Sequence, residues 1–239
     1  MIDIIKVEFQ KSKRTSTNKF IVITPVIAIL LSFSWGGGQN GAYNWWYTMF
    51  LPGMLAIISA QVITRERELS YIGVLLYPQD KGIIWLGKIL YVSILLLLTS
   101  LIFMAGIYGV GLVSESTISL KANILASIIL VLTFLFNIPI SMFLTVQFNM
   151  FVSVLFNIAM TIIGVVSFDT NSILKFSPYR ISSALMAPVL HILPNGLPVP
   201  ENSPFLNGDM IIKDTITAII YFIILTLLTT IWFRKKEVD

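Results

Sequence analysis

Apolar residues run along this chain in six long, nearly unbroken blocks, at about Lys19–Trp35, Tyr43–Thr64, Ile89–Val113, Asn123–Val146, Met150–Phe168 and Thr215–Phe233. Each is long enough to cross a bilayer as a helix, which takes about 20 residues. None holds an Asp, Glu, Lys or Arg in its interior. Barrel strands would alternate polar and apolar residues, so the blocks predict an all-α membrane protein with six transmembrane helices. The stretch Ile181–Leu193 is too short for a seventh span and Pro188 interrupts it. It predicts an outer-surface or re-entrant segment.

Three mixed segments lie outside the blocks of this single transmembrane domain, residues 1–239. In residues 1–18, Ile2, Ile5, Val7 and Phe9 alternate with Lys6, Lys11, Lys13 and Arg14. That mixture predicts an amphipathic interfacial helix with its basic groups toward anionic lipid headgroups. Residues 65–88 open with Arg65-Glu66-Arg67-Glu68, a solvated charge run, but continue with a stretch too apolar for a loop and in want of a partner surface. Residues 169–210 hold six of the ten prolines, yet Leu185, Met186, Val189 and Leu190 predict a segment folded onto the helix ends.

Charge decides the orientation. Only 12% of residues are charged against 56% hydrophobic, too few to face water on every side. Of the sixteen Lys and Arg, twelve fall on one side, in the N-terminal segment, residues 65–88 and Arg234–Lys236. Lys121, Lys175, Arg180 and Lys213 keep the other. The positive-inside rule then puts both termini in the cytoplasm and explains the net charge of +4 without a nucleic-acid partner. Tyr43, Trp45, Trp46 and Tyr47 form an aromatic belt at the outer end of the second block, and Trp232 and Phe233 mark the inner end of the last. The apolar run after the basic N-terminus is no signal peptide, since Ser-Phe-Ser-Trp follows Leu31 where small residues would be cleaved.

Chemistry finds little purchase. There is no cysteine, and the one histidine, His191, has no carboxylate neighbour in sequence. Gly82-Ile-Ile-Trp-Leu-Gly87-Lys88 imitates a phosphate-binding loop, but Ile89 stands where Ser or Thr would ligate magnesium, and bulky residues fill the cradle. Catalytic, cofactor-binding and metal-ligating residues are therefore not expected, and the chain does not bind ATP itself. Asn137, Gln147, Asn149 and Asn157 predict hydrogen bonds between helices. With no charge inside the membrane there is no ion relay, so energy for any transport comes from elsewhere.

Six spans, one large cytoplasmic connection after the second span, a folded outer segment before the last and no engine resemble the permease of a type-2 ABC exporter. In that family the connection carries a helix that seats in a separate ATPase, which holds the ATP and magnesium. The matching positions are Arg65, Glu66, Arg67, Glu68, then Leu75, Leu76 and Pro78, then Gly87-Lys88; Leu69-Ser70 stands where the family often has Gly-Thr. A narrower resemblance rests on Asn44-Trp-Trp-Tyr-Thr-Met-Phe-Leu-Pro-Gly-Met54, Ser177-Pro-Tyr-Arg180, Leu185-Met-Ala-Pro188 and Ile192-Leu-Pro-Asn-Gly-Leu-Pro198. These look like lantibiotic-immunity permeases of the MutE/EpiE type. The resemblance implies a multi-pass protein of a bacterial plasma membrane, paired with an ATPase and with a second related permease or another copy of itself. The complex would expel lantibiotic peptides from the membrane, giving immunity. Export of another amphiphile such as bacitracin, or a non-transporting sensor or scaffold, are the competing expectations; an intramembrane enzyme is not, for want of paired carboxylates or a Ser/His set. A peptide exit surface is expected from Tyr43, Trp45, Trp46, Tyr47, Tyr179, Leu185, Met186 and Leu190.

Overall fold

The computed structural model describes residues 1–13, 15–68, 80–168 and 176–236, and these are helical with no named strand among them. A short helix α1 (Ile2–Ser12) precedes α2 (Thr17–Ser34). Then α3 (Gly38–Trp45) continues through a π turn (Trp46–Phe50) into α4 (Leu51–Glu68). The longest helix, α5 (Lys81–Val113), is followed by α6 (Leu120–Phe134), α7 (Asn137–Gln147) and α8 (Met150–Val166). A buried helix α9 (Pro178–Leu190) and the final α10 (Asp209–Lys235) complete the bundle.

Five helical stretches are long and apolar enough to cross a membrane: 17–34, 38–68, 81–113, 120–147 and 209–235. The sixth expected span, α8, is a shorter apolar helix of 17 residues. At 1.5 Å per residue it extends about 25 Å, the lower edge of what a bilayer requires. It runs antiparallel to α4: Gly53 faces Ile158, and fourteen residues on, Arg67 Nη1 donates to the Phe148 carbonyl at 2.8 Å. It therefore joins the same two ends of the bundle as its neighbours. One end gathers α1, the end of α4, the start of α5, the α7–α8 turn and the end of α10. The other gathers residues 35–40, 114–119 and the segment around α9.

Two of the expected spans are not plain α-helices, and proline is the reason in both. Pro139 has no amide to give the Leu135 carbonyl, so Ile138 N takes it at 3.1 Å and the fourth span divides into α6 and α7. Pro52 likewise breaks the ladder of the second span; Leu51 N reaches back five residues to the Trp46 carbonyl, which makes the π turn. The third span starts eight residues earlier than its apolar block, because Asp80 caps α5 by accepting from Gly82 N at 2.8 Å and Ile83 N at 3.2 Å.

The surface is apolar, and the largely apolar core holds polar side chains that bond one another. Ile216, Ile220, Ile223, Leu227 and Leu228 of α10 are exposed, as lipid-facing residues should be. Inside, Asn137 Nδ2 donates to Asn157 Oδ1 at 2.9 Å, Asn157 Nδ2 to Ser141 Oγ at 3.1 Å, and Ser141 Oγ to Asn137 Oδ1 at 2.9 Å. Tyr179 of α9 donates to the same Asn157 oxygen at 2.7 Å. This network ties α7, α8 and α9 where lipid supplies no partners. Asn149 instead caps α8 at Val152 N, 2.9 Å, and Gln147 is exposed.

α9 approaches α8 so closely that a Cβ on Gly164 would lie 2.5 Å from the Tyr179 carbonyl oxygen. Gly164→Ala should therefore destabilise the fold by about 1–3 kcal/mol through overpacking. Gly109→Ala in α5, with open space around it, should be neutral or stabilising. Thermal unfolding in detergent checks the pair, and a higher midpoint for Gly164→Ala would refute the contact.

Candidate functional site

At the end of the bundle that holds both roots of the 65–88 connection, four charges meet, three of them buried and the fourth, Lys11, open to solvent on its outer side. Positions 4, 8 and 12 lie one turn apart on α1, and Ile4, Glu8 and Ser12 are the residues it buries. That stripe packs against α5, where Gly87 leaves room: a Cβ there would come 2.5 Å from Ile4 Cγ2. Phe9 meets Tyr91 edge-on at 4.9 Å. One residue beyond Gly87, Lys88 Nζ lies 2.6 Å from Glu8 Oε1 and 2.6 Å from Glu66 Oε1. Lys11 closes the figure, 2.6 Å from Glu66 Oε1 and 3.4 Å from Glu8 Oε1. The result is a ring of alternating charge from three helices.

Lys88 is fully buried and both carboxylates are 2% exposed. A lone buried charge costs several kcal/mol, so each member depends on its opposite neighbours. For Lys11, burial works against the charge. The hydrogen bond to Glu66 and the charges of Glu8 and Glu66 outweigh it and hold its pKa above the ordinary value. A raised lysine is protonated throughout the neutral range, and its stabilising effect is lost only as pH rises through the raised value.

The second root is held by the C-terminal helix. Arg234 Nε donates to Asp80 Oδ1 at 2.8 Å, and Lys81 Nζ to the Lys236 carbonyl at 2.8 Å. Trp85 donates to Thr229 Oγ1 at 3.1 Å and stacks on Phe233 with centroids 4.5 Å apart. Burial works against the exposed Asp80 carboxylate, but hydrogen bonds from Arg234 and Gly82 bring its pKa below the usual aspartate value.

These contacts revise the sequence-based expectations residue by residue. Glu66 is no part of a solvated run; it faces inward, because Lys88 and Lys11 supply its counter-charge. Arg65 donates from Nε to the Gln61 carbonyl at 3.1 Å, Arg67 reaches Phe148, and Glu68 is exposed. Leu75, Leu76 and Pro78 lie outside the described residues. The Gly82–Lys88 imitation of a phosphate loop is a packing motif: its second glycine admits Ile4, and its lysine is spent on two carboxylates. The N-terminal helix leaves Ile2 and Val7 exposed and docks on the bundle through a mixed face, Ile4 and Phe9 beside the buried Glu8 and Ser12.

The expected exit surface needs a plainer correction. Tyr43, Trp46, Tyr47, Tyr179, Leu185, Met186 and Leu190 are all buried, and only Trp45 is half-buried, edge-on to Trp35 at 5.4 Å. Tyr43 donates to Asn123 Oδ1 at 2.6 Å, Trp46 stacks on Phe103 at 4.5 Å, and Tyr47 donates to the Leu193 carbonyl at 3.4 Å. Aromatic residues of this kind suit an interface belt, but the hydroxyls found partners inside the protein. They are core, and they form no surface. Among the described residues no group of His, Asp or Glu could hold a metal, and His191 sits exposed in a left-handed cap at the end of α9.

Sequence reasoning missed the ring. Its one local signal was Glu8 and Lys11 at i,i+3; Glu66 and Lys88 are remote in sequence and become neighbours only through the fold.

Glu8→Ala leaves Lys88 buried beside a single carboxylate and should cost about 3–5 kcal/mol. Asp80→Asn, which keeps the cap but loses an exposed ion pair, should leave the melting temperature nearly unchanged. Unfolding of both variants in detergent tests this, and equal effects would contradict the burial.

A family model described as "ABC-2 family transporter protein" matches residues 4–168, which include the whole ring. No curated protein and no solved structure matches the chain.

Proposed function

Because the chain belongs to the ABC-2 family of transporter proteins, whose members are the membrane permease subunits of ABC transporters, we propose that it drives the expulsion of lantibiotic peptides from a bacterial plasma membrane. It does so as a six-span subunit with both termini in the cytoplasm. ATP is hydrolysed by a separate ATPase seated on residues 65–88, and a second related permease or a second copy completes the membrane part.

One observation carries the peptide specificity. The two segments that resemble lantibiotic-immunity permeases, Asn44–Met54 and Ile192–Pro198, are far apart in sequence and meet in space. Asn44 Nδ2 donates to the Pro194 carbonyl, and Tyr47 reaches Leu193. A segment pair that meets at one end of a bundle acts as a unit. Its end is opposite the ring, which under the proposed orientation is the outer face, where a membrane-active peptide arrives.

The topology is supported by the same division. Lys6, Lys11, Lys13, Arg65, Arg67, Lys81, Lys88 and Arg234–Lys236 gather at the ring's end, while Lys121, Arg180 and Lys213 keep the other. That asymmetry is the one the positive-inside rule demands. The ATPase reading is supported by the anchoring of both roots of the connection, Glu66 on one side and Asp80 to Lys88 on the other. A loop that receives force must be attached to something stiff.

A reporter fused after Asp239 should be cytoplasmic and one inserted at Asn202 external; both on one side would rule out six spans. Leu75→Ser with Leu76→Ser should sharply lower co-purification of the ATPase without affecting insertion. In cells expressing the complete complex, removal of this chain should abolish resistance to a lantibiotic such as nisin. Resistance restricted to bacitracin or another amphiphile would replace the lantibiotic reading, and no change for any peptide would favour a scaffold.

A further inference from the structure

Four charges are an expensive way to join three helices. Apolar residues of the same volume often hold a protein together as well as a buried ion pair, or better. What an alternating ring adds is a single permitted arrangement: each ammonium must meet two carboxylates at once, so α1, α4 and α5 cannot slide or rotate past one another independently. The identity of these helices matters. One leads into the 65–88 connection, one leads out of it, and the third runs through residues 13–16 into α2. The α1–α2 corner is tied to the same stem a second time. Thr17 Oγ1 donates to Gln61 Oε1 at 2.8 Å, and Gln61 Nε2 to Ser16 Oγ at 3.0 Å.

A push on the connection therefore has a defined route. It displaces the end of α4 and the start of α5 together, and through Lys88 and Lys11 it displaces α1. Through Gln61 it displaces the foot of α2. We propose that the Glu8–Lys88–Glu66–Lys11 ring is the joint that makes α1 and both roots of the connection one rigid body, so that movement there reaches the first transmembrane helix. Lys88 is the positioning residue: alone of the four, it sits on the outgoing root and bonds both the incoming root and α1. The inference rests on the reading that an ATPase acts on residues 65–88.

The absence of cysteine lets single thiols report without background. Ser34→Cys, exposed at the far end of α2, reports movement of the first span as an ATP-dependent change in maleimide labelling, in proteoliposomes holding the chain with its ATPase. Glu8 lies outside residues 65–88 and holds Lys88 to α1. In a Gln61→Ala background, which removes the second tie to α2, Glu8→Gln should retain ATPase binding and hydrolysis while the labelling change falls at least about fivefold relative to Gln61→Ala alone. A full labelling change in that double variant overturns the joint. If the double variant does not accumulate, a covalent clamp takes its place. Ile4→Cys with Gly87→Cys places two Cβ atoms 3.1 Å apart, so a shift of a few tenths of an ångström brings them to the spacing of a disulfide. With that bridge oxidised, α1 and α5 are locked, and a rigid joint should still pass the full labelling change to position 34. Loss of the change on oxidation, recovered on reduction, means that α1 moves against α5 and overturns the proposal. A wild-type chain that recruits no ATPase fails the proposed function itself, before either variant is compared.

Discussion

Hydrocarbon offers no hydrogen bonds, and that constraint organises everything between the two ends of this bundle. A polar side chain at membrane depth must find its partner in the protein or remain unsatisfied at a cost of several kcal/mol. The Asn137–Ser141–Asn157 network, the Tyr179 hydroxyl on Asn157 and the Tyr43 hydroxyl on Asn123 are the consequences. They set polar contacts among the buried isoleucines and leucines of the core, while further isoleucines and leucines face lipid, which supplies little hydrophobic drive between helices. Association then depends on close approach and on specific bonds. Gly164 under the Tyr179 backbone and Gly87 under Ile4 provide the first, and the amide and hydroxyl network provides the second.

The constraint also explains where charge sits. Lys88 and Glu66 are buried as thoroughly as any core residue, yet they lie in the turns nearest the ends of their helices, beyond the apolar blocks. α5 has 33 residues, about 50 Å, and so outruns the hydrocarbon by several turns. Its first two turns carry Lys81, Trp85 and Lys88 and serve as a platform to which both chain ends attach. α1 is bound there by charge, and α10 by Arg234 on Asp80 and Phe233 on Trp85. The connection between α4 and α5 is thus framed by the two ends of the chain.

Legibility followed the length scale of the physics. Apolar blocks of about 20 residues are a signal averaged over a whole helix, and they located the helical spans to within a few residues at most ends. Breaks inside blocks were invisible because they arise from single residues. Pro139 and Pro52 could equally have sat in a kinked but continuous helix, and only the neighbouring amides show which carbonyl was rescued. The ring was hidden for a different reason. A charge run reads as solvated because most are, and nothing near Glu66 in sequence says that Lys88 will face it. The aromatic belt was overread in the same way. Tyr43 and Trp46 have the composition of an interface and do lie toward one end, but their partners, Asn123 and Phe103, belong to helices whose packing the sequence did not specify.

The π turn at Trp46–Phe50 has a mechanical meaning of its own. One extra residue in a helix advances the angular phase by about 100°. α3 can therefore aim Gln39 and Tyr43 at α5 and α6, while α4, in the same column, aims its packing at α7 and α8. The second span is a crankshaft with two offset throws. When α4 turns about its axis at the ring's end, α3 sweeps a different compass bearing at the other. Deleting one residue from the π turn would straighten the shaft and bring the two throws into line, so that Tyr43 and the buried face of α4 could no longer both find their partners.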